Sequence, residues 1–403
     1  MCHFLLCCVL YVHTQLQRPS QDVETFLTQA KLDRKDLKHI VQPLSFSNAQ
    51  DSELLLMEVD EDILKDLKNG DVLTFRGRDD DTAVLCTNKC TFEVREAETS
   101  NSLLLVPDLI LPAEMGSVDD NSLTESPKQV PNIFHTYLEL RQCSSRLRLL
   151  RDLLQRKPFK GTELEDDDTT DQYTLNDLFN VVQARESEIL STLDELPVVQ
   201  LNGFCRLLDV DYHFRVINFI TNYIEAESIP MDKVPMGEAV TNVAELEPSE
   251  IVREVFKHCT TPCPADEGFY SLNRDYICRL TAQAILKNVD RFNLSEFVEL
   301  WQKSVPEGIH VNVEQLEGLA IVDHMSIPES IYLLDKWDLP QEASERFAAL
   351  FRQKEKWTMS EIRPYIEDLC TGVKGDVNTL LMKHARAFME NGVRKYAAKH
   401  SAK

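Results

Sequence analysis

The chain has 403 residues, of which 43% are hydrophobic and 8% aromatic, enough for several packed domains and too apolar for a disordered polymer. Its formal net charge of −24 excludes attraction of the whole molecule to a phosphate backbone, so any nucleic-acid contact has to come from a local basic patch. The 11 cysteines form an odd, scattered set, which reads as reduced intracellular thiols rather than a disulfide framework.

The first twelve residues, MCHFLLCCVLYV, are apolar but lack a Lys/Arg n-region, and no A-x-A-like cleavage site follows. Residues 1–21 therefore read as an N-terminal extension, and the run is too short to span a bilayer. Residues 22–41 show helical spacing, with Val23, Phe26, Leu27 and Ala30 on one face. From Glu53 the period becomes that of strands: ELLLMEVD, DVLTFRG, TAVLCT, TFEVREA and SLLLVP, separated by Asn69-Gly70, RGRDDD and TSN. Such short runs at close spacing predict a small antiparallel β-barrel over about residues 45–110. Its leucines fall on both strand faces, so one face fills the barrel and the other takes its cover from the flanking helices of this chain or from a partner's strands; on the partner reading, Leu54, Leu56, Val72, Phe75, Val84 and Leu104 are the predicted docking residues. Cys86 with Cys90, and Cys259 and Cys263 beside His258, each lack the second ligand pair that tetrahedral zinc needs. No metal or cofactor is expected.

Residues 112–131 read as a linker. NIFHTYLEL then resumes as a strand and leads into a basic helix, with Leu147, Leu150 and Leu154 on one face. Its cations, Arg141, Arg146, Arg148, Arg151, Arg156, Lys157 and Lys160, suit pairing with acidic neighbours better than a nucleic-acid contact. The acidic loop ELEDDDTTDQ closes this part near residue 172.

Three later segments share one design: YTLNDLFNVV from Tyr173, FNLSEFVELW from Phe292 and WTMSEIRPYI from Trp357. Each has an aromatic residue, then a cap (Thr174, Asn293, Thr358), then an acid three residues on (Asp177, Glu296, Glu361). Only Thr358 with Glu361 meets the strict S/T-x-x-E capping box. A second helix and two strands follow each start, with Asn202-Gly203 and Asn391-Gly392 as type I′ hairpin turns. Helix, turn, helix and hairpin make the winged-helix arrangement, so the chain is predicted to be α+β: a small β-barrel domain followed by tandem winged-helix domains. The predicted boundaries are 1–21 (extension), 22–140 (docking domain), 141–172 (basic helix and acidic linker), 173–247, 248–338 and 339–403 (winged helices).

Charge separates the copies. From Lys374 to Lys403, seven cations against Asp376 and Glu390 leave a local charge of +5. Lys383 at the end of the second helix, Arg386 on the hairpin, and Arg394, Lys395 and Lys399 beyond its turn are the predicted DNA-binding residues. The second helix of the first copy carries Glu186, Glu188, Asp194 and Glu195 instead, which suits a protein partner.

The chain resembles the sister chromatid cohesion (defective-in-sister-chromatid-cohesion) family of the alternative replication factor C clamp loader. The resemblance spans roughly residues 22–398. It is strongest in RGRDDDTAVLCTNKCTFEVREAETSNSLLLVP, VVQLNGFCRLLDVDY, FNLSEFVELWQKSVPEGIHVNVEQLEGLAIVD and EKWTMSEIRPYIEDLC followed by NGVRKY. It implies an N-terminal β-domain that co-assembles with the C-terminal tail of the large clamp-loader subunit and with a small third cohesion subunit. It also implies engagement of DNA polymerase epsilon, winged helices on single- and double-stranded DNA, an indirect link to the sliding clamp, no membrane, and a nuclear location. No catalytic role is expected: the phosphate loop, the dinucleotide fingerprint, H-E-x-x-H and G-x-S-x-G are all missing from the sequence, and glycines number only 12. The competing reading is a winged-helix adaptor that makes protein contacts alone.

Overall fold

In a computed structural model of the chain, residues 20–33, 40–47, 53–111, 124–264, 266–370 and 376–399 are described. The expected extension up to residue 19, Lys374 and Lys403 lie outside them. The chain divides into two compact units, Met1–Leu64 with Val94–Arg141, and Lys65–Glu93 with Gln142–Lys403.

The first unit opens with α1 (Ser20–Gln29), which is shorter than the helix predicted over 22–41, because the backbone turns at Lys31 with φ 56°. β1 (Ile40–Val41) and β2 (Leu44–Phe46) follow. The predicted strand ELLLMEVD does not form; only Met57 makes a bridge, to Leu138. Beyond it the Asp60 carboxylate accepts the Ile63 N–H at 2.8 Å and starts α2 (Glu61–Asn69), a helix with Glu61 and Asp62 in its first turn and Lys68 in its last.

β3 (Thr74–Arg76), β4 (Val84–Cys86) and β5 (Thr91–Leu105) come next. The turn-prone TSN sits inside β5, which joins the two predicted strands TFEVREA and SLLLVP into one of 15 residues. β6 (Thr124–Glu125), β7 (Lys128–Val130) and β8 (Asn132–Cys143) complete the strands of this region. The sheet order β3-β4-β5-β8 is open, and β1-β6 and β2-β7 are separate parallel pairs. Among the described residues there is therefore no closed antiparallel barrel. Three-residue strands such as β3 and β4 are too short to tilt and close a sheet on itself.

Residues 65–93 belong with the second unit. Arg76, 4% exposed, donates to the Phe179 carbonyl at 2.6 Å and to Glu186 at 2.8 Å, and Gln183 donates to the Thr82 carbonyl at 2.6 Å. These polar ties attach the β3–β4 meander to the helices that follow, and so divide the predicted 22–140 domain.

The remainder of the second unit is built by repetition. α3 (Arg148–Arg156) leads into β9 (Tyr173–Thr174), α4 (Leu175–Val181), α5 (Glu186–Glu195), β10 (Val198–Leu201) and β11 (Phe204–Leu207). α6 (Val210–Ala226) leads into β12 (Val234–Pro235), α7 (Met236–Val243), α8 (Ser249–Cys259), β13 (Thr260–Pro262) and β14 (Phe269–Leu272). α9 (Arg274–Leu286) leads into β15 (Phe292–Asn293), α10 (Leu294–Ser304), a 3-10 turn over Val313–Leu316, β16 (Ala320–Asp323) and β17 (Ser330–Leu333). α11 (Ala343–Gln353) leads into β18 (Trp357–Thr358), α12 (Met359–Ile362), α13 (Val377–His384), β19 (Ala385–Glu390) and β20 (Val393–Ala398). In every copy the hairpin's return strand lies in the middle and pairs with both its partner and the short first strand.

The copies number four among the described residues, where the sequence pattern predicted three. The unforeseen copy, residues 234–272, straddles the predicted boundary at 247. Its first helix starts at Pro235 with no side-chain cap, so the Thr/Asn signature that marks the others is missing there. The helix before each copy contributes buried side chains to the core. On α6, Tyr212, Val216, Ile217, Ile220 and Ile224 recur at helical spacing and are buried with the apolar faces of α7, α8 and α9.

Candidate functional site

The predicted DNA-contacting residues sit on the fourth copy, and local chemistry explains its shape. Trp357 is 1% exposed, and its ring N–H donates to the Lys354 carbonyl at 2.7 Å, anchoring the start of α12. Thr358 and Glu361 exchange hydrogen bonds in a full capping box. Thr174 and Asp177 do the same in the first copy, which makes that start a full box as well, whereas Asn293 only accepts, from the Ser295 and Glu296 N–H groups. Asp376 caps α13 by accepting the Thr379 N–H at 2.9 Å. Asn391 at φ 52° and Gly392 at φ 78° form the left-handed turn predicted for the hairpin.

The five predicted cations do not share one surface. Paired residues of an antiparallel ladder project to the same side. The register Arg386↔Ala397, Phe388↔Lys395 therefore places Arg386 and Lys395 on one face of the hairpin, and Met389↔Arg394, Ala387↔Tyr396 places Arg394 on the other. Lys395 donates to Glu390 at 2.8 Å, and Lys356 binds the same carboxylate. Hydrogen bonds from Lys356 and then Lys395 hold the Glu390 carboxyl down at about 2. Lys399 donates to the carbonyls of Met382 at 2.8 Å and Lys383 at 3.0 Å, closing the last turn of α13 where the helix dipole favours a cation. Lys383, Arg386 and Arg394 are exposed.

Arg394 lies beside a groove of about 380 Å³ between α13 and the hairpin, lined by Asn378, Leu381, Met382, Ala385, Ala387, Arg394 and Tyr396. The sequence reading missed this groove. The alternation of Ala385, Ala387 and Met389 along β19 was the available signal, because residues two apart in a strand share a face.

The predicted docking residues fall on both units. In the first, Leu54 is exposed, and Leu56 and Leu104 are half-buried. In the second, Val72 and Phe75 are exposed. Val84 is 0% exposed, so the chain's own core takes it and no partner can reach it. The first unit also exposes Phe46, Leu55, Leu103 and Leu105, which were not singled out from the sequence; Leu55 is 76% exposed.

The basic helix α3 is engaged within the chain. Arg151 meets Asp335 at 2.5 Å and stacks over Trp337, Arg156 meets Asp171 at 3.3 Å, and Lys157 meets Asp166 at 2.6 Å. Among the described residues no three metal-binding side chains gather. Cys259 is buried, its thiol pushed up to about 12 by desolvation, and its Sγ donates to the Phe256 carbonyl. No described helix is long and apolar enough to cross a membrane.

Comparison with known proteins adds two findings. The family model of the sister chromatid cohesion protein Dcc1 matches residues 54–366. Sister chromatid cohesion protein DCC1 of Xenopus tropicalis is 40% identical over 391 residues, covering 94% of this chain and 98% of the relative. The proteins of that name from Homo sapiens and Saccharomyces cerevisiae are 36% and 22% identical, over 94% and 81% of this chain and 98% and 90% of the relative.

Proposed function

The chain belongs to the family of the sister chromatid cohesion protein Dcc1, and on that premise we propose that it serves sister chromatid cohesion as a non-catalytic nuclear scaffold. In this reading it is a subunit of an alternative replication factor C clamp loader, and the four repeated units are winged helices. The first unit holds the C-terminal tail of the large subunit and the small third cohesion subunit. The assembly is tied to DNA polymerase epsilon and acts on the sliding clamp indirectly. The observation that carries this reading is similarity to cohesion proteins along nearly the whole chain. The leucines exposed on the first unit suit a surface completed by other chains. Affinity purification of the full chain tests the docking. Leu55→Glu together with Leu103→Glu is expected to release co-purifying subunits while leaving the melting temperature within a degree or two, since exposed substitutions rarely change stability by more than about 0.5 kcal/mol. Retention of every partner would refute the assignment of that surface.

The DNA contact of the last copy rests on Lys383, Arg394 and Arg386, with Lys395 and Lys399 confined to supporting the helix end and the wing. Gel-shift titrations at several salt concentrations test it. Lys383→Glu with Arg394→Glu should weaken binding and lower the salt slope by roughly one per lost phosphate contact. The adaptor reading, protein contacts alone, gains from one observation: Arg386 and Arg394 face opposite ways on the hairpin. Absence of any salt-sensitive affinity in the intact protein would decide for it.

A further inference from the structure

The groove beside Arg394 has a chemistry that phosphate contacts do not use. Leu381, Ala385 and Tyr396 are buried at its base, and Met382 is 68% exposed at its edge. The Arg394 guanidinium carbon stands 5.6 Å from the centre of the Tyr396 ring, so the cation is already stacked and only its outer surface is open. Asn378, on α13, brings an amide to the rim; one of its two N–H donors goes to the Asp376 carboxylate at 3.3 Å, which leaves the other N–H and the carbonyl oxygen for a ligand. No carboxylate lines the groove, in a chain whose net charge is −24. Its volume of about 380 Å³ is more than ten times the ~30 Å³ share of one water.

We propose that this groove receives one unstacked nucleobase of single-stranded DNA, held between the thioether of Met382 and the guanidinium of Arg394, with its edge toward Asn378. The inference rests on the reading of the last copy as a DNA-contacting module and names the form of DNA that it selects. A planar heterocycle needs an apolar or cationic surface on its faces, a hydrogen-bonding edge and a nearby cation for its phosphate; Met382, Arg394, Asn378 and the exposed Lys383 supply these in turn. A duplex keeps its bases paired and stacked and so cannot fill the groove, whereas a single strand or an unpaired end can.

The experiment compares, by fluorescence anisotropy on the full chain, an oligothymidine of about twenty nucleotides with a strand of equal length whose central sugars carry no base. Phosphate contacts cancel in the ratio of the two affinities. The unaltered protein is expected to prefer the oligothymidine on the order of tenfold, the contribution of stacking a single base. Ala387→Trp fills the groove from an exposed strand position, and Met382→Ser removes one wall from an exposed helix position; each should bring the ratio close to one. A ratio of one in the unaltered protein, with both strands bound in a salt-sensitive way, overturns the base groove and leaves the DNA reading standing. A preference that survives both substitutions overturns it too, since the base is then read elsewhere. Binding of neither strand removes the DNA reading and this inference together. If the substitutions instead release a co-purifying protein and leave the ratio unchanged, the groove belongs to a peptide and the inference fails.

Discussion

His213 shows how one buried side chain shapes the response to acid. It is 1% exposed on α6, its Nε2 stands 3.5 Å from the Tyr276 hydroxyl, and His258 stacks on the same tyrosine. Burial, and then the charge of His258, lower its pKa to about 3. The unfolded chain titrates near the ordinary value of about 6.5, so below that pH it takes up a proton that the folded chain refuses. Stability is therefore lost as pH falls through the window from about 6.5 to 3, by about 3 kcal/mol near pH 4.5 from this group alone. Urea titrations from pH 7 to 4.5 should show that decline, and His213→Gln should flatten it. Gly318 makes a second residue-scale case. Its φ is +80°, and a Cβ there would stand 2.6 Å from the Pro364 Cβ of the fourth copy. Gly318→Ala is expected to cost about 2 kcal/mol, through left-handed strain and overpacking together, measured as a lower denaturation midpoint.

The elements differ in how openly the sequence declares them. Capped starts and Asn-Gly turns are local: the orphan N–H groups of a first turn need a nearby oxygen, and two positive φ values need Asn-Gly or its like. Thr174, Asn293, Thr358 and both turns were legible for that reason. The copy at 234–272 was not, because Pro235 restricts the helix start without capping it, although Glu238 occupies the third helical position. Thr358→Ala should cost about 1 kcal/mol and Thr174→Ala a similar amount, while Pro235→Ala should cost no cap energy; thermal melts of the three variants make the comparison. Strands were harder to read. The leucine run before α2 fits a strand pattern, yet the Asp60 cap takes the following residues into a helix. The candidate site was legible as a list of cations and illegible as a surface, since cross-strand register decides which way each one points.

For the molecule as a whole, what counts is which charges are already in use. Of the cations on and around α3, Arg151 reaches residue 335, just before the fourth copy, and Arg148 donates to the Leu339 carbonyl in the same connector at 3.3 Å. Arg151→Ala is expected to cost about 2 kcal/mol, as for a hydrogen bond to a charged group, and to speed proteolytic cleavage between residues 335 and 342. Unchanged cleavage would mean that the connector is held by other contacts. By itself the sequence determined what depends on neighbours along the chain: helix starts, hairpin turns, the basic character of the last copy, and the family. Only the tertiary structure decided that the described residues hold four copies of the repeat, that the sheet they form near the N-terminus stays open, that Val84 is core, and that Lys395 and Lys399 are tied to their own module. The physical reason is range: caps and turns are settled within about four residues, whereas register, burial and ion pairing depend on groups that only folding brings together.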